Sequence, residues 1–556
     1  MKKECVMKKL LLTVVILFAA VSVLWAAGGK EAETGTSHGA ASSINEAGKY
    51  EPPISVTAVN VRVAPDVKFP EGKGVGDNIW IDTYREELGI DVDVLWGNDD
   101  IEKFNLMLAS GDLPDIFGIN NQRSNAFDEL IEAGKLQDLT ASFEQHASPL
   151  LKEMLYEDGG RAMEACTRNG KLYSIPYYED TSGQGMVLWV REDWRKKLNL
   201  PEPDSLQDVF KISTAFAKED PDGNGKDDTY GMYLNEINND PWLTMVLGFF
   251  NGYHAYPNIW VKTSSGKIES GRIQPEMKEA LARLQKMYAA GEIPQEFPLI
   301  KSENWEEDTA AGKYGLIYGA DWFPEWPFQL LKNNDPSSEW KAYPVPSIDN
   351  KPAKVSVAGL SIGFHFVERN GIEHPEAIIK LANIAAEKMF GENADPDNYY
   401  VDPETYSNIW KYTVVSIARN LGTLKDYQAV KLAMADNNPA GLNKSARIVY
   451  DKIMNFKAGE TGDWWYYGQY GPDGSMRVIE KYIEEQDIVY SSFYGIKPES
   501  MVKKEAVLDK LFNQMMVKII MGEDISEFDN FVNEWKKLGG NEVTEDVNKW
   551  YRENVK

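Results

Sequence analysis

The sequence predicts an α/β protein built on a doubly wound parallel sheet. Apolar runs alternate strand, helix, strand, helix, strand over residues 54–120, and that order belongs to sheets whose helices cross over between parallel strands. The C-terminal half carries helical stripes opened by proline and closed by glycine. At 556 residues, 43% hydrophobic and 12% aromatic, the chain can bury more than one core, so more than one lobe is expected.

Residues 1–27 read as a secretory signal peptide. Lys8 and Lys9 precede an apolar run from Leu10 to Trp25, and the small residues Ala26, Ala27 and Gly28 follow. The run is short of the roughly 20 residues a spanning helix needs. A lipid-anchored protein would carry cysteine directly after it, where this chain has Ala-Ala-Gly-Gly, so a periplasmic or otherwise secreted product without a lipid anchor is expected. Cys5 leaves with the signal. Cys166 then stands alone, no internal disulfide can form, and it reads as a small core residue. Residues 28–53 are small and polar without periodicity, as in a flexible tether.

Folded structure is expected from residue 54. "ISVTAVNV" (54–61) suits a buried strand, "NIWIDTYREEL" (78–88) a helix, and "IDVDVLW" (90–96) a strand with Ile90, Val92, Val94 and Trp96 on one face. A helix with Ile101, Phe104 and Leu108 inward stops at Gly111, and "DIFGIN" (115–120) is the next strand. Ligands collect at the carboxyl ends of such strands, here near Asn60, Trp96 to Asn98 and Asn120. Later helices cover 274–291, 374–391, 507–522 and 525–540, with stripes such as Met277, Leu281 and Leu284 reading as core.

"DPDGNGKDD" (220–228) matches the front of a calcium loop: Asp220, Asp222, Asn224, the Lys226 carbonyl and Asp228 fall at positions 1, 3, 5, 7 and 9, with Gly225 at the turn. The bidentate glutamate of position 12 is missing, for Gly231 stands there. A structural Ca²⁺ that does not touch the ligand is expected, with an affinity of about 10⁻⁴ to 10⁻³ M.

Lys and Arg total 59 against 86 Asp and Glu, a net charge of -27 that repels phosphate backbones and excludes nucleic acid as a partner class. No GxSxG, HExxH or CxxC occurs, and the 5 histidines are scattered singly, so nothing marks a catalytic centre. With so many acids, carboxylate pairs arise by chance; a secreted hydrolase is the rival class. No repeats point to an adhesin.

Aromatic residues cluster beside carboxylates in stretches read as loops. Asp321, Trp322 and Trp326 share "YGADWFPEWP"; Asp463, Trp464 and Trp465 share "TGDWWYYGQYG"; Tyr178 and Glu179 lie in "PYYED"; Trp242 follows Asp240; Trp96 and Asn98 end a strand. Flat rings cover the C–H faces of sugars and planar polar groups satisfy hydroxyls, so these are the candidate ligand contacts. The loops hold neither Arg nor Lys, which favours a neutral oligosaccharide.

Phrases spread over nearly the whole mature chain, among them "FNLMLASGDLPDIF" (104–117), "RNGKLYSIPYYED" (168–180), "LWVREDWRKKLNLPEPDSLQDVF" (188–210), "GKYGLIYGADWFPEWP" (312–327) and "IIMGEDISEFDNFVNEWKKLGG" (519–540), resemble the family 1 extracellular solute-binding proteins of bacterial ABC importers, in the large branch related to oligosaccharide- and alginate-binding proteins. The resemblance implies a periplasmic-binding-protein-like fold, two α/β lobes joined by hinge strands around a ligand cleft. It implies lobes of 54–178 plus 353–405 and 179–352 plus 406–556. It further implies a monomer that captures an oligosaccharide, or a peptide or other solute, and delivers it to permease subunits without chemistry. Related proteins often place a carboxylate after the ninth calcium position, where this chain has Thr229.

Overall fold

The computed structural model describes residues 43–45, 48–63, 67–120, 123–178, 185–237, 246–301, 304–358, 362–400, 408–495 and 497–555. The chain divides into a unit ending at Pro52 and a unit running from Pro53 to Lys556. In the first, β1 (Ser43–Ile44) pairs antiparallel with β2 (Tyr50–Glu51). The stretch expected to be tether thus carries a ladder over its last residues, closed by the Asn45 side chain, which accepts from the Lys49 N–H at 3.0 Å.

The second unit opens with β3 (Ile54–Asn60), β4 (Ile90–Gly97) and β5 (Ile116–Asn120), which lie parallel with β3 in the middle. The first crossover helix, Ile79–Thr83, starts where the Asn78 side chain accepts from the Trp80 and Ile81 amides. It continues as a wider turn to Leu88 and stops at Gly89, whose φ of 66° suits glycine. The second, Ile101–Ser110, is capped by Asp100 and stopped by left-handed Gly111. Its buried face runs through Phe104 and Met107, and Ile101, expected inward, is exposed at the helix's first residue.

A hairpin of β6 (Thr167–Arg168) and β7 (Lys171–Leu172) precedes β8 (Ile175–Tyr178), the edge of the same sheet. From there the chain enters a second sheet through β9 (Val187–Arg191). This sheet adds β10 (Tyr230–Met232), then, after the hairpin of β11 (Trp260–Lys262) and β12 (Ile268–Ser270), β13 (Tyr314–Gly319) and β14 (Trp340–Tyr343), in the order β10-β13-β9-β14. It is mixed: β10 and β13 are parallel, while β9 runs against β13 and β14. Helices Leu206–Lys218 and Glu276–Ala289 bury Leu206, Val209, Ile212 and Phe216, and Met277, Leu281 and Leu284, in one core with this sheet. The C-terminal helices Glu499–Ile520 and Glu527–Trp535 join that core through Leu508, Phe512, Met515, Phe528 and Phe531.

The chain returns through β15 (Val355–Val357) to β16 (Ile362–Glu368), which inserts antiparallel between β5 and β8. The first sheet is therefore ordered β4-β3-β5-β16-β8. Every residue of β16 is buried, as a central strand covered on both faces requires. Finally β17 (Ile488–Tyr490) pairs parallel with β15 beside the crossing. The expected doubly wound sheet is thus present as β3, β4 and β5, completed by a strand from far along the chain. Two α/β sheets linked by crossing strands make the predicted fold class.

Candidate ligand-binding site

The carboxyl ends of β3, β5 and β8 gather one cluster. Immediately after β3, the Arg62 guanidinium lies 4.2 Å from the centre of the Tyr177 ring, 4.9 Å from Phe364 and 5.0 Å from Trp410. The Tyr177 and Trp410 rings are parallel within 8°, 5.9 Å apart. Tyr177 and Phe364 meet because β8 and β16 pair them in register, and Asn120 at the end of β5 lies opposite Phe364 on its other side. Trp410 is held there by backbone: the buried Asn60 amide donates to the Lys411 and Tyr412 carbonyls at 3.1 and 2.9 Å, and Trp80 Nε1 donates to the Ile409 carbonyl at 3.1 Å. Tyr412 also donates to the Lys68 carbonyl and stacks on Phe69.

Beside this cluster opens a cavity of about 890 Å³. Its wall includes Tyr177 and Tyr178 from β8, the end of the helix Ala377–Phe390 and the residues that follow it as far as Asp397, Arg419 from a loop, and Lys425, Lys444 and Tyr470 from later helices. The wall's basic side chains are paired with carboxylates, and Glu392, Asp395 and Asp426 add further acids to it. The Glu157 carboxylate, 7% exposed, takes Arg419 at 2.6 Å and also Lys425, while Lys444 pairs with Asp397. The size suits a small oligomeric solute.

Of the residues singled out from sequence, Tyr178 lines the cavity, although its ring is buried and its hydroxyl donates to the Leu155 carbonyl at 2.7 Å. Trp96 and Asn98 lie at the same end of the sheet; Asn98 has φ 98° and donates its N–H to the Asn60 carbonyl at 3.0 Å. Glu179 and Trp242 lie outside the described residues.

The other two aromatic stretches come together elsewhere, against the second sheet's core. "TGDWWYYGQYG" is not a loop: Trp464–Tyr470 is a helix. Its Gly468 lets Pro324 approach so closely that a Cβ would stand 2.9 Å from Pro324 Cβ. Gln469 donates to the Asp321 carboxylate at 2.9 Å and Ser475 to the Asp321 carbonyl at 2.7 Å. Asp321, 1% exposed, therefore braces this packing, and Trp464 belongs to the core. Asp463 is engaged by Lys452 at 3.1 Å. What stays accessible is the half-buried Trp322, the Trp326 ring parallel to it within 16° and 38% exposed, and the half-buried Trp465.

Sequence reasoning missed Arg62, Phe364 and Trp410. The rule that ligands gather at strand ends pointed to Asn60, two residues from Arg62, but nothing local in "SNIWKY" marks Trp410 as its partner. The fold also sets Cys166 against a histidine distant in sequence, with 3.6 Å between Sγ and His365 Nδ1. Burial pushes the thiol up to about 12 and the imidazole down to about 3, so both are neutral and closed to solvent, the opposite of an activated nucleophile.

The 220–228 loop follows the helix Leu206–Lys218 as expected. Gly225 N–H donates to Asp220 Oδ2 at 3.1 Å, and the Asn224 amide bridges Asp222 and Asp228 at 2.7 and 3.0 Å. Asp220 Oδ1 is buried without a partner, and burial together with the facing Asp220 and Asp228 carboxylates holds the Asp222 carboxyl above its ordinary value. All donors are hard oxygens of the kind calcium takes. The back of the loop contributes none: the Thr229 hydroxyl turns inward to the Phe216 carbonyl, and a Cβ on Gly231 would meet Ser213 Oγ at 2.2 Å. Among the described residues no group of 3 or more His, Cys, Asp or Glu stands at metal-holding distance.

Two α/β sheets joined by crossing strands, with an aromatic cluster and a roomy cavity at the carboxyl edge of the first, define a protein built to hold a solute. The chain belongs to the bacterial extracellular solute-binding protein family, whose model matches residues 80–365. It is 25% identical over 480 residues to "Lipoprotein LipO" of Bacillus subtilis (strain 168), covering 84% of this chain and 87% of that one. It is 24% identical over 478 residues to the "Polygalacturonan/rhamnogalacturonan-binding protein YtcQ" of the same organism, covering 83% and 86%. A solved structure of the "S.pneumoniae ABC-transporter substrate binding protein FusA EF-hand mutant in complex with fructo-nystose" superposes with a TM-score of 0.52 at 18% identity, over 90% of this chain and 99% of that one. That likeness shows the shared fold, and that relative carries an EF-hand. Among the described residues no helix is long and apolar enough to cross a membrane.

Proposed function

We propose that this protein captures an oligosaccharide outside the cytoplasm and delivers it to the permease of an ABC importer, as a monomer and without chemical change to the sugar. The observation that carries this reading is the pair of parallel rings, Tyr177 and Trp410, beside a cavity of about 890 Å³ at the carboxyl edge of the first sheet. Tyr177 is buried against Arg62 and Trp410, and the half-buried Trp410 keeps part of a flat apolar ring of the kind that pyranose C–H groups cover. The likeness to YtcQ, a polygalacturonan/rhamnogalacturonan-binding protein, and to FusA, solved in complex with fructo-nystose, supports it. On this reading the lobes are 54–178 with 353–405, and 179–352 with 406–556. Residues 1–27 are a cleaved signal without a lipid anchor. Trp96, Asn98 and Tyr178 belong to the first lobe's face of the cleft, and Trp322, Trp326 and Trp465 offer the second lobe's accessible rings.

Calcium has a supporting part in the same reading. Asp220, Asp222, Asn224, Lys226 through its carbonyl and Asp228 would hold it, with water completing the set because Thr229 and Gly231 supply nothing. It would fasten the loop to the second lobe and leave the sugar untouched.

A panel of oligosaccharides, read both by melting temperature and by chromatography of the sugar afterwards, tests the proposal. The expected result is a thermal gain from one class of oligosaccharide with that sugar recovered intact. Hydrolysed sugar favours the enzyme class, and a gain only with peptides overturns the sugar assignment.

A further inference from the structure

In a chain of net charge -27, a half-buried cation with no carboxylate beside it among the described residues needs a reason. Arg62 Nε is buried and makes no hydrogen bond. Its guanidinium is covered by Tyr177, Phe364 and Trp410, and the Lys411 ammonium stands 5.6 Å from the centre of the same Trp410 ring. The other cations nearby are already engaged: Arg123 by Asp99 at 2.5 Å, Arg419 and Lys425 by Glu157, Lys444 by Asp397. Arg62 and Lys411 are therefore positive charge held at the strand ends without a carboxylate partner among the described residues.

Rings that cover a guanidinium leave its edge as the place for a ligand, because the N–H donors all lie in the plane. A planar fork of donors matches a carboxylate through two parallel hydrogen bonds. Tyr177, 8% exposed, borders the cavity while also holding Arg62, and so sets the guanidinium one ring away from it. A flat apolar face beside a carboxylate-matching fork is what a sugar ring bearing an acid group requires.

We propose that Arg62, supported by Lys411, is the carboxylate-binding subsite of this cleft, and that the oligosaccharide it accepts contains uronic acid. The inference rests on the oligosaccharide reading above and narrows it. The aromatic stretches prominent in the sequence carry no Arg or Lys, which favours a neutral sugar; the fold supplies the missing cation from the end of β3.

The test uses the full mature chain with trigalacturonate, the same trisaccharide fully methyl-esterified, and neutral oligosaccharides, measured by titration calorimetry. The acid should bind about tenfold or more tightly than its ester, as a charge-assisted hydrogen-bond pair provides, and its affinity should fall with added salt. Arg62→Gln should erase the preference, and Arg62→Lys, which keeps charge without the fork, should restore part of it. Melting curves of both variants verify folding, and the acid-to-ester ratio of the unaltered chain stands independently of them. Equal binding of acid and ester, or a preference that survives Arg62→Gln, overturns the inference. Neutral sugars bound while trigalacturonate is refused also overturns it and leaves the oligosaccharide reading intact; no thermal or calorimetric response to any oligosaccharide overturns that reading as well.

Discussion

Replacing Glu368 with Gln should change how stability depends on pH. Glu368 ends β16, the strand that brings Phe364 into the ligand cluster, and is fully buried with no ion pair to its carboxyl group among the described residues. Burial raises its carboxyl to about 9, with Glu376 and Asp115 adding to the effect and the Ile378 amide and Arg369 offsetting part of it. The folded chain thus keeps a proton that the unfolded chain releases above an ordinary value of 4.5, so stability is lost as pH rises through this interval. At about 1.36 kcal/mol per pH unit, the move from about pH 5.5 to about pH 7.5 costs about 2.7 kcal/mol, and the whole interval is worth on the order of 6 kcal/mol. Gln carries no charge at any pH. Urea unfolding of both proteins at the two pH values isolates the group, because every other titration is shared and cancels in the difference. The variant should gain about 2.7 kcal/mol on the unaltered chain between them. A difference constant to within about half a kcal/mol refutes the reasoning.

Other consequences follow from the site and the loop. Trp410→Ala removes one of the parallel rings and should weaken oligosaccharide binding by about 1 kcal/mol or more, read by calorimetry, with little loss in melting temperature because the ring is only half-buried. Gly231→Ala forces a methyl group to within 2.2 Å of Ser213 Oγ and should cost about 1–3 kcal/mol in urea unfolding; an unaltered midpoint would show that β10 can move away from the helix. Chelation should lower the melting temperature without abolishing sugar binding, and Asp220→Ala should remove the chelator's effect. Binding lost with stability intact contradicts a calcium ion remote from the sugar.

Local features made much of the fold legible. Gly89 and Gly111 end their helices in the left-handed conformation that their place after the helical runs suggests. The Met277, Leu281, Leu284 stripe faces the core as a helical period requires. Pairings made at long range were not legible. β16 enters the sheet antiparallel between β5 and β8, and no pattern within "IGFHFVE" names those neighbours. Trp464 to Tyr470 read as a loop because of its glycines, yet tertiary packing made Gly468 a contact point inside a helix. The site divided in the same way. Strand-end reasoning pointed to Trp96 and Asn98; aromatic clustering pointed to Tyr178, which lines the cavity, but equally to Asp321 and Trp464, whose neighbours are their own core. Arg62 and Trp410 meet only because the Asn60 amide holds the 411–412 backbone at the end of β3.

The account is tested most directly by a crystal structure of the mature chain grown with the oligosaccharide that most raises its melting temperature. It predicts an intact sugar with a ring against Tyr177 or Trp410 and an acid group on Arg62. A sugar seated away from β3 and β8, or found cleaved, contradicts it.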